Sequence, residues 1–302
     1  EHDIFVDGIT EDIVTDLSRL SNLMVFASDT TFKYKGRQVS PQALRDELNV
    51  DFVLQGNARR HGDQIRINIQ LVNAEKGVNV WAQRYDRNVG DVFAVQDEIT
   101  AGLVENLSIR ISPEETQHLA RRATNNLQAY DHFLEGQRLS RSLTLEAATD
   151  ALHEYKKAIT IDPTYGRAYG AMAYNLARLY LRGLTDNPNE TIDRALALAE
   201  QGVALDSSIP QTHWSLGYVH LMNKRHDQAE KAASESIRVA PNYADGYGLL
   251  ALIHNNLGNA DKALDYATRG MQLNPYYTWD YLYNLGRAHY ALDNYCLLYT
   301  SD

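Results

Sequence analysis

Residues 210–243 read PQTHWSLGYVHLMNKRHDQAEKAASESIRVAPNY, and residues 244–277 read ADGYGLLALIHNNLGNADKALDYATRGMQLNPYY. Laid one over the other, they align Leu216 with Leu250, Gly217 with Ala251, His220 with His254, Ala229 with Ala263, Ser236 with Gly270 and Pro241 with Pro275. Each block reads as a helical hairpin too small to bury its own apolar stripe, so it must stack on its neighbours. Where helices approach closely only Ala, Gly or Ser fits, because a methylene added to a packed contact costs about 1–3 kcal/mol. Proline near the end of the second helix stops it, having no N–H and disfavouring helix in the residue before it.

The pattern extends outward in both directions. Ala151, Ala195, Ala229 and Ala263 are each followed seven residues later by Ala158, Gly202, Ser236 or Gly270, and twelve residues later by Pro163, Ser207, Pro241 or Pro275. This 34-residue period with small residues at fixed offsets resembles the tetratricopeptide repeat (TPR) family. A further first helix starts near Trp279 with Leu285-Gly286, about one residue out of phase, and the helix of Ala151 and Tyr155 ends at Asp162-Pro163 behind a weakly matching capping helix. From Ala151 to Ala195 the interval is 44, and the additional residues are expected in a surface loop at Arg182–Asn189, rich in Gly, Asn and Pro. Residues 129–295 are therefore expected to form an all-α superhelical solenoid of about three full repeats and a partial one.

The resemblance implies a binding face, since first helices of such repeats line a concave groove. Carried over residue by residue, the groove positions are Arg167, Tyr174, Arg178, Trp214, Tyr218, Asn255, Asn256, Tyr283, Arg287 and Tyr290. Aromatics with Arg and Asn suit a protein or peptide partner. The lysine/asparagine pattern by which chaperone adaptors of this family clamp peptide carboxy-termini is not reproduced.

The first hundred residues follow another grammar. Asp7 reads as the cap of a helix carrying Ile9, Ile13, Leu17 and Leu20. Leu23–Ala27 reads as a short strand, and Ser40-Pro41 opens a helix through Leu48. Phe52–Arg60, Gln64–Val72 and Val78–Tyr85 read as an antiparallel meander, with Ile65, Ile67, Ile69 and Leu71 on one face. Asp91 begins a closing helix through Phe93, Val95, Ile99, Leu103 and Leu107. Segments FVDGITED (5–12), TFKYKG (31–36), VLQGNAR (53–59), WAQRYDR (81–87) and VFAVQDEI (92–99) resemble the TolB-like domain. That resemblance implies an α+β domain over residues 1–109 whose first strand is missing ahead of Phe5. Residues 110–128 are expected to be a helical linker, with a helix start at Ser112-Pro113.

In bacterial signalling proteins the TolB-like and TPR pair resembles the carboxy-terminal region of class III adenylate/guanylate cyclases. It also occurs in winged-helix transcriptional regulators. The resemblance implies a non-catalytic regulatory region, in the periplasm if a span lies upstream and in the cytoplasm otherwise. A stand-alone assembly scaffold is the third reading.

The net charge of −10 argues against nucleic acid as a partner of this region. No apolar run is long enough to span a bilayer, so any membrane contact is expected through an upstream segment. Residues 296–302, CLLYTSD, hold the sole cysteine, Cys296, and resemble the translation of a transposase adapter used in DNA library preparation. Natural sequence is expected to depart from this chain near Asn294 or Tyr295.

No catalytic residue, cofactor or metal ligand is expected. Phosphate loops and nucleophile elbows are missing. The carboxylates Asp7, Glu11, Asp12 and Asp16 read as a solvated helix start, and Arg59, Arg60, Arg66, Arg84 and Arg87 as ion-pair partners of surface acids. His220, His254 and His289 share one offset in successive first helices; equivalent sites on packed helices lie too far apart for one metal, so they read as packing residues.

Overall fold

The computed structural model describes residues 2–119, 121–142 and 144–298; of the seven residues at 296–302, positions 299–302 lie outside the described residues, and Cys296 is exposed. The chain divides into two compact units, residues 1–122 and 123–302.

The first unit opens with α1 (His2–Ser18), α2 (Ser28–Phe32) and α3 (Pro41–Leu48), continues through strands β1 (Phe52–His61), β2 (Gln64–Asn73) and β3 (Val78–Asn88), and closes with α4 (Val92–Asn106) and α5 (Pro113–Leu119). The sheet is an antiparallel meander in the order β1-β2-β3. Alternation along β2 sends Ile65, Ile67, Ile69 and Leu71 into the core, where α1 and α4 pack on the same face. Gly62-Asp63 makes the two-residue turn between His61 and Gln64, with Gly62 at a φ of 56° that a side chain would strain.

Two expectations for this unit are corrected. Asp7 is no cap: α1 begins at His2, because buried Phe5 extends the stripe of Ile9, Ile13 and Leu17 by a turn, and Asp7 pairs with Lys35 at 2.7 Å. Leu23–Ala27 is not a strand. It bonds to no sheet neighbour, and Met24, 55% exposed, lacks the buried side a strand face needs.

The second unit is helical: α6 (Leu127–Ser140), α7 (Leu145–Ile161), α8 (Gly166–Leu181), α9 (Pro188–Leu205), α10 (Pro210–Met222), α11 (His226–Val239), α12 (Ala244–Leu257), α13 (Ala260–Leu273) and α14 (Trp279–Ala291). Consecutive helices pair as hairpins, and α8, α10, α12 and α14 pack in succession as first helices. Among the described residues this gives four pairs plus α14. The α6/α7 hairpin closes despite its weak match, because Tyr130 and Phe133 are buried and the ring of Tyr155 fills the space beside Gly136.

The small residues sit where helices touch. Ala151, Ala158, Ala195, Ala229, Ser236 and Ala263 are fully buried, and a Cβ on Gly202 would lie 2.9 Å from the carbonyl oxygen of Gly166. The ten additional residues between Ala151 and Ala195 are not confined to a loop. The α8/α9 hairpin has helices of 16 and 18 residues against 13 and 14 in α10/α11, so the rest of the insertion is a modestly longer connection, Arg182–Asn187. Pro188 starts α9 at the first helical position, which turns most of the insertion into helix.

Candidate protein-binding site

First helices α8, α10, α12 and α14 follow one another in space, so residues at equivalent outward offsets form a row. Two groups of the expected residues come together. In the first, Tyr174 on α8 meets Trp214 and Tyr218 on α10 edge-on, with ring centroids 4.9 and 5.0 Å away, while Trp214 and Tyr218 stack at 5.6 Å. Arg178, one turn beyond Tyr174, holds its guanidinium carbon 5.4 Å from that ring and donates to the carbonyl of Ser140 at 2.8 Å. The indole Nε1 of Trp214 donates to the Asp245 carbonyl at 2.9 Å, joining α10 to α12.

The second group lies on α12 and α14. Arg287 donates to the side chain of Asn256 at 3.1 Å and to the backbone oxygen of Asn255 at 3.4 Å, while the Asn255 amide donates to the Asn284 carbonyl at 2.9 Å. The Arg287 guanidinium lies 5.6 Å from the Tyr283 ring centre. Tyr283 and Tyr290 are 52% and 65% exposed, aromatic surface that the unit itself does not cover. With Leu282 and Gly286 these residues line a cavity of about 520 Å³.

Arg167 departs from expectation. It is 7% exposed, and its guanidinium lies 5.0 Å from the Phe133 ring centre, so it packs against α6 instead of facing an open groove. Three residues of this face were not picked out from the sequence. Trp279, 74% exposed, stands edge-on to Tyr283 at 6.0 Å, and Asp245 and Asp280 place carboxylates near Tyr174. Asp245 occupies the second position of the 244–277 block, the same outward offset that singles out Arg167 in its own repeat.

The electrostatics are those of a recessed surface. Burial pushes the Tyr174 hydroxyl above its ordinary range; Asp245 and Asp280 push the same way, and Arg178 and Arg182 oppose them. Burial raises Tyr218 as well, with Tyr174 adding to it and the same two arginines opposing.

The other candidate clusters find neighbours within their own units. His220 and His254 are buried, and His254 stacks on Tyr266 at 5.3 Å. Among the described residues no group of three or more His, Cys, Asp or Glu side chains is placed to hold a metal ion. Asp12 accepts from Gln96 at 3.1 Å and Asp16 lies 3.7 Å from Arg19. Arg66 and Arg84 both pair with Asp86, at 2.5 and 2.6 Å, and Arg87 with Glu98 at 3.8 Å.

With helix hairpins, buried small residues and a 34-residue period in place, the comparison with known proteins is direct. Residues 244–277 match the tetratricopeptide repeat family. A tetratricopeptide repeat is present there, and the second unit is a TPR-like helical solenoid. Residues 1–102 match the family described as HilA/YgeH-like transcriptional regulator, second domain. A curated protein of Rhizobium meliloti (strain 1021), named "Putative adenylate cyclase 3", is 33% identical over 232 residues, which are 77% of this chain and 40% of that protein. The chain thus spans less than half the length of that relative. Among solved structures, a thermophilic TPR protein of Thermus thermophilus is 17% identical, covering 68% of this chain and 95% of its own, with a TM-score of 0.42. MamA from Desulfovibrio magneticus RS-1 is 19% identical, covering 57% and 90%, with a TM-score of 0.41. No described helix is long and apolar enough to cross a membrane.

Proposed function

We propose that this chain is a non-catalytic regulatory region of a bacterial signalling protein and that its repeats bind a protein or peptide along the first helices. One observation carries the reading. The face built from α8, α10, α12 and α14 presents Tyr174, Arg178, Trp214, Tyr218, Tyr283, Arg287 and Tyr290 in two groups, with aromatic surface left open at its α14 end. Tyr, Trp and Arg are the side chains enriched where binding energy concentrates in protein interfaces, Tyr and Trp because they bury large areas at small entropic cost and Arg because it brings a planar fork of donors.

The parent is a class III adenylate cyclase whose cAMP output this region modulates; the identity shared with the Rhizobium protein over 77% of the chain supports it. The match of residues 1–102 to a regulator domain favours the second reading, the sensory half of a transcriptional regulator. The TolB-like likeness of the same residues fits either parent. Sequence upstream of Glu1 in the intact gene separates them: a cyclase catalytic domain or a DNA-binding wing.

The binding role is tested by probing an array of evenly sampled nine-residue peptides with the purified chain and with a Tyr283→Ala/Tyr290→Ala variant. Wild-type protein should retain a defined peptide subset that the variant binds less well. Equal retention by the variant removes the groove assignment, and cAMP formed from ATP by this chain alone removes the non-catalytic one.

A further inference from the structure

The first aromatic group holds polar atoms that its packing does not use. Among the described residues neither the Tyr174 nor the Tyr218 hydroxyl has a hydrogen-bond partner, and neither oxygen is among the sealed, unpartnered polar atoms. Their rings are nonetheless fixed, edge-on to each other at 5.0 Å and wedged against Trp214. The Arg178 guanidinium is also fixed, 5.4 Å from the Tyr174 ring centre, by the bond from Nη1 to the Ser140 carbonyl. Because a guanidinium carries five N–H donors, that bond leaves donors to spare. Three neighbouring side chains from two helices therefore carry donors that no acceptor of the unit takes up.

We propose that Tyr174 Oη, Tyr218 Oη and the Arg178 guanidinium form an anion subsite on the first-helix face, which takes the carboxylate of an Asp or Glu side chain in a bound peptide. This rests on the reading that the face binds peptide, and specifies its chemistry. The fields of Arg178 and Arg182 reach both hydroxyls, bringing positive charge to this group although the chain carries a net charge of −10. Both phenols are shifted toward the protonated form, so they stay donors at any neutral pH. The fields of Asp245 and Asp280 oppose the two arginines at Tyr174. Those carboxylates also set the ligand's charge. A phosphate dianion doubles attraction and repulsion alike, but its desolvation cost grows as the square of its charge, so where the aspartates offset part of the arginines' field a single negative charge fits best.

The same array, probed with the whole chain at low salt, should return peptides enriched in Asp or Glu at one position. Replacing that residue by Asn or Gln in the best binder should weaken it about tenfold or more, the worth of a charged hydrogen bond. Tyr174→Phe/Tyr218→Phe keeps the rings and removes the donors. It should shrink the acid-to-amide ratio, because a charged acceptor loses more than a neutral amide when the donors go. Arg178→Gln, a milder change, should shrink the same ratio if the double variant binds nothing. Bound peptides without acidic enrichment, a preference for phosphoserine over Asp, or an unchanged ratio in both variants overturns the subsite and leaves peptide binding standing. If wild-type protein retains no peptide, both fail.

Discussion

A methyl group on Gly270 would stand 2.6 Å from Cε1 of Tyr281, so α14 is seated on α13 with no space between them. Tyr281 is buried and donates its hydroxyl to Asp245 at 3.2 Å, tying α14 to α12 as well. Gly270→Val should unseat α14 at a cost of about 1–3 kcal/mol, read as a lower urea midpoint for the helical signal. Tyr281→Ala in the same background should cost less than it does alone, since the two side chains would otherwise contend for one volume. Additive effects of the two changes would show that the contact is not limiting.

The alanines at the 34-residue period test the stack itself. Ala229 and Ala263 are fully buried, and near Ala229 a Cβ on Gly217 would already lie 3.1 Å from the Ala233 nitrogen. Leucine at both positions adds three carbons to each crossing, and neighbouring repeats share their interfaces, so the damage spreads. The Ala229→Leu/Ala263→Leu variant should melt earlier and over a broader range by circular dichroism. Melting that matches wild type would mean these helices do not meet through their alanines.

The repeats were legible because hairpin stacking imposes a period, and the sheet because Ile65 to Leu71 alternate about a buried face. Residues 182–189 misled because an insertion rich in Gly, Asn and Pro looks the same whether it lengthens a loop or starts a helix at proline. Arg167 misled for a different reason. An offset within a repeat says which way a side chain leaves its helix, but only the preceding repeat, through Phe133, decides whether that space is filled. Asp7 resembled a cap because a carboxylate before Gly8 suits one; the ring of Phe5 carries the helix past it. The aromatic face could be read from spacing, whereas the unpartnered hydroxyls of Tyr174 and Tyr218 depend on ring orientation between helices.

Glu115 ties α5 to the turn after α1. Its Oε2 accepts from the Ser112 N–H at 2.7 Å while Ser112 Oγ accepts from the Glu115 N–H at 3.1 Å, a reciprocal capping box. Oε1 takes the N–H and hydroxyl of Ser21, both at 2.9 Å. Burial alone would raise this carboxyl, but the bonds from Ser112 and Ser21 outweigh it and hold it below its usual range. Its contribution is therefore present above pH 4.5 and lost as pH falls through the lowered value. Glu115→Gln should cost about 1 kcal/mol and speed amide exchange over residues 112–119, with β2 amides unaffected. Unchanged exchange in α5 would contradict the capping role.

Acid sensitivity above the carboxylate range should come from two buried histidines. Desolvation lowers His220, with Arg225 adding to it and Glu200 opposing. Desolvation likewise lowers His254; Glu230, 3.4 Å from Nε2, partly offsets it, and Lys262 adds to the lowering. With folded values below the ordinary 6.5, the unfolded chain takes up protons first. Stability is complete above pH 6.5, declines as pH falls below it, and has lost this contribution once pH passes the lowered folded values. Carboxyls held low in this unit, Glu135, Glu154 and Asp162, act only below about 4.5, their ordinary values being 4.5, 4.5 and 3.8. The melting midpoint of the helical signal should therefore drop between about pH 7.5 and about pH 5.5. His220→Phe/His254→Phe keeps an aromatic ring at each site, including the one stacked on Tyr266, and should flatten that drop. A wild-type midpoint that does not move over this range would mean that the rings take up protons equally in both states, and a double variant that falls as steeply would assign the drop to other groups.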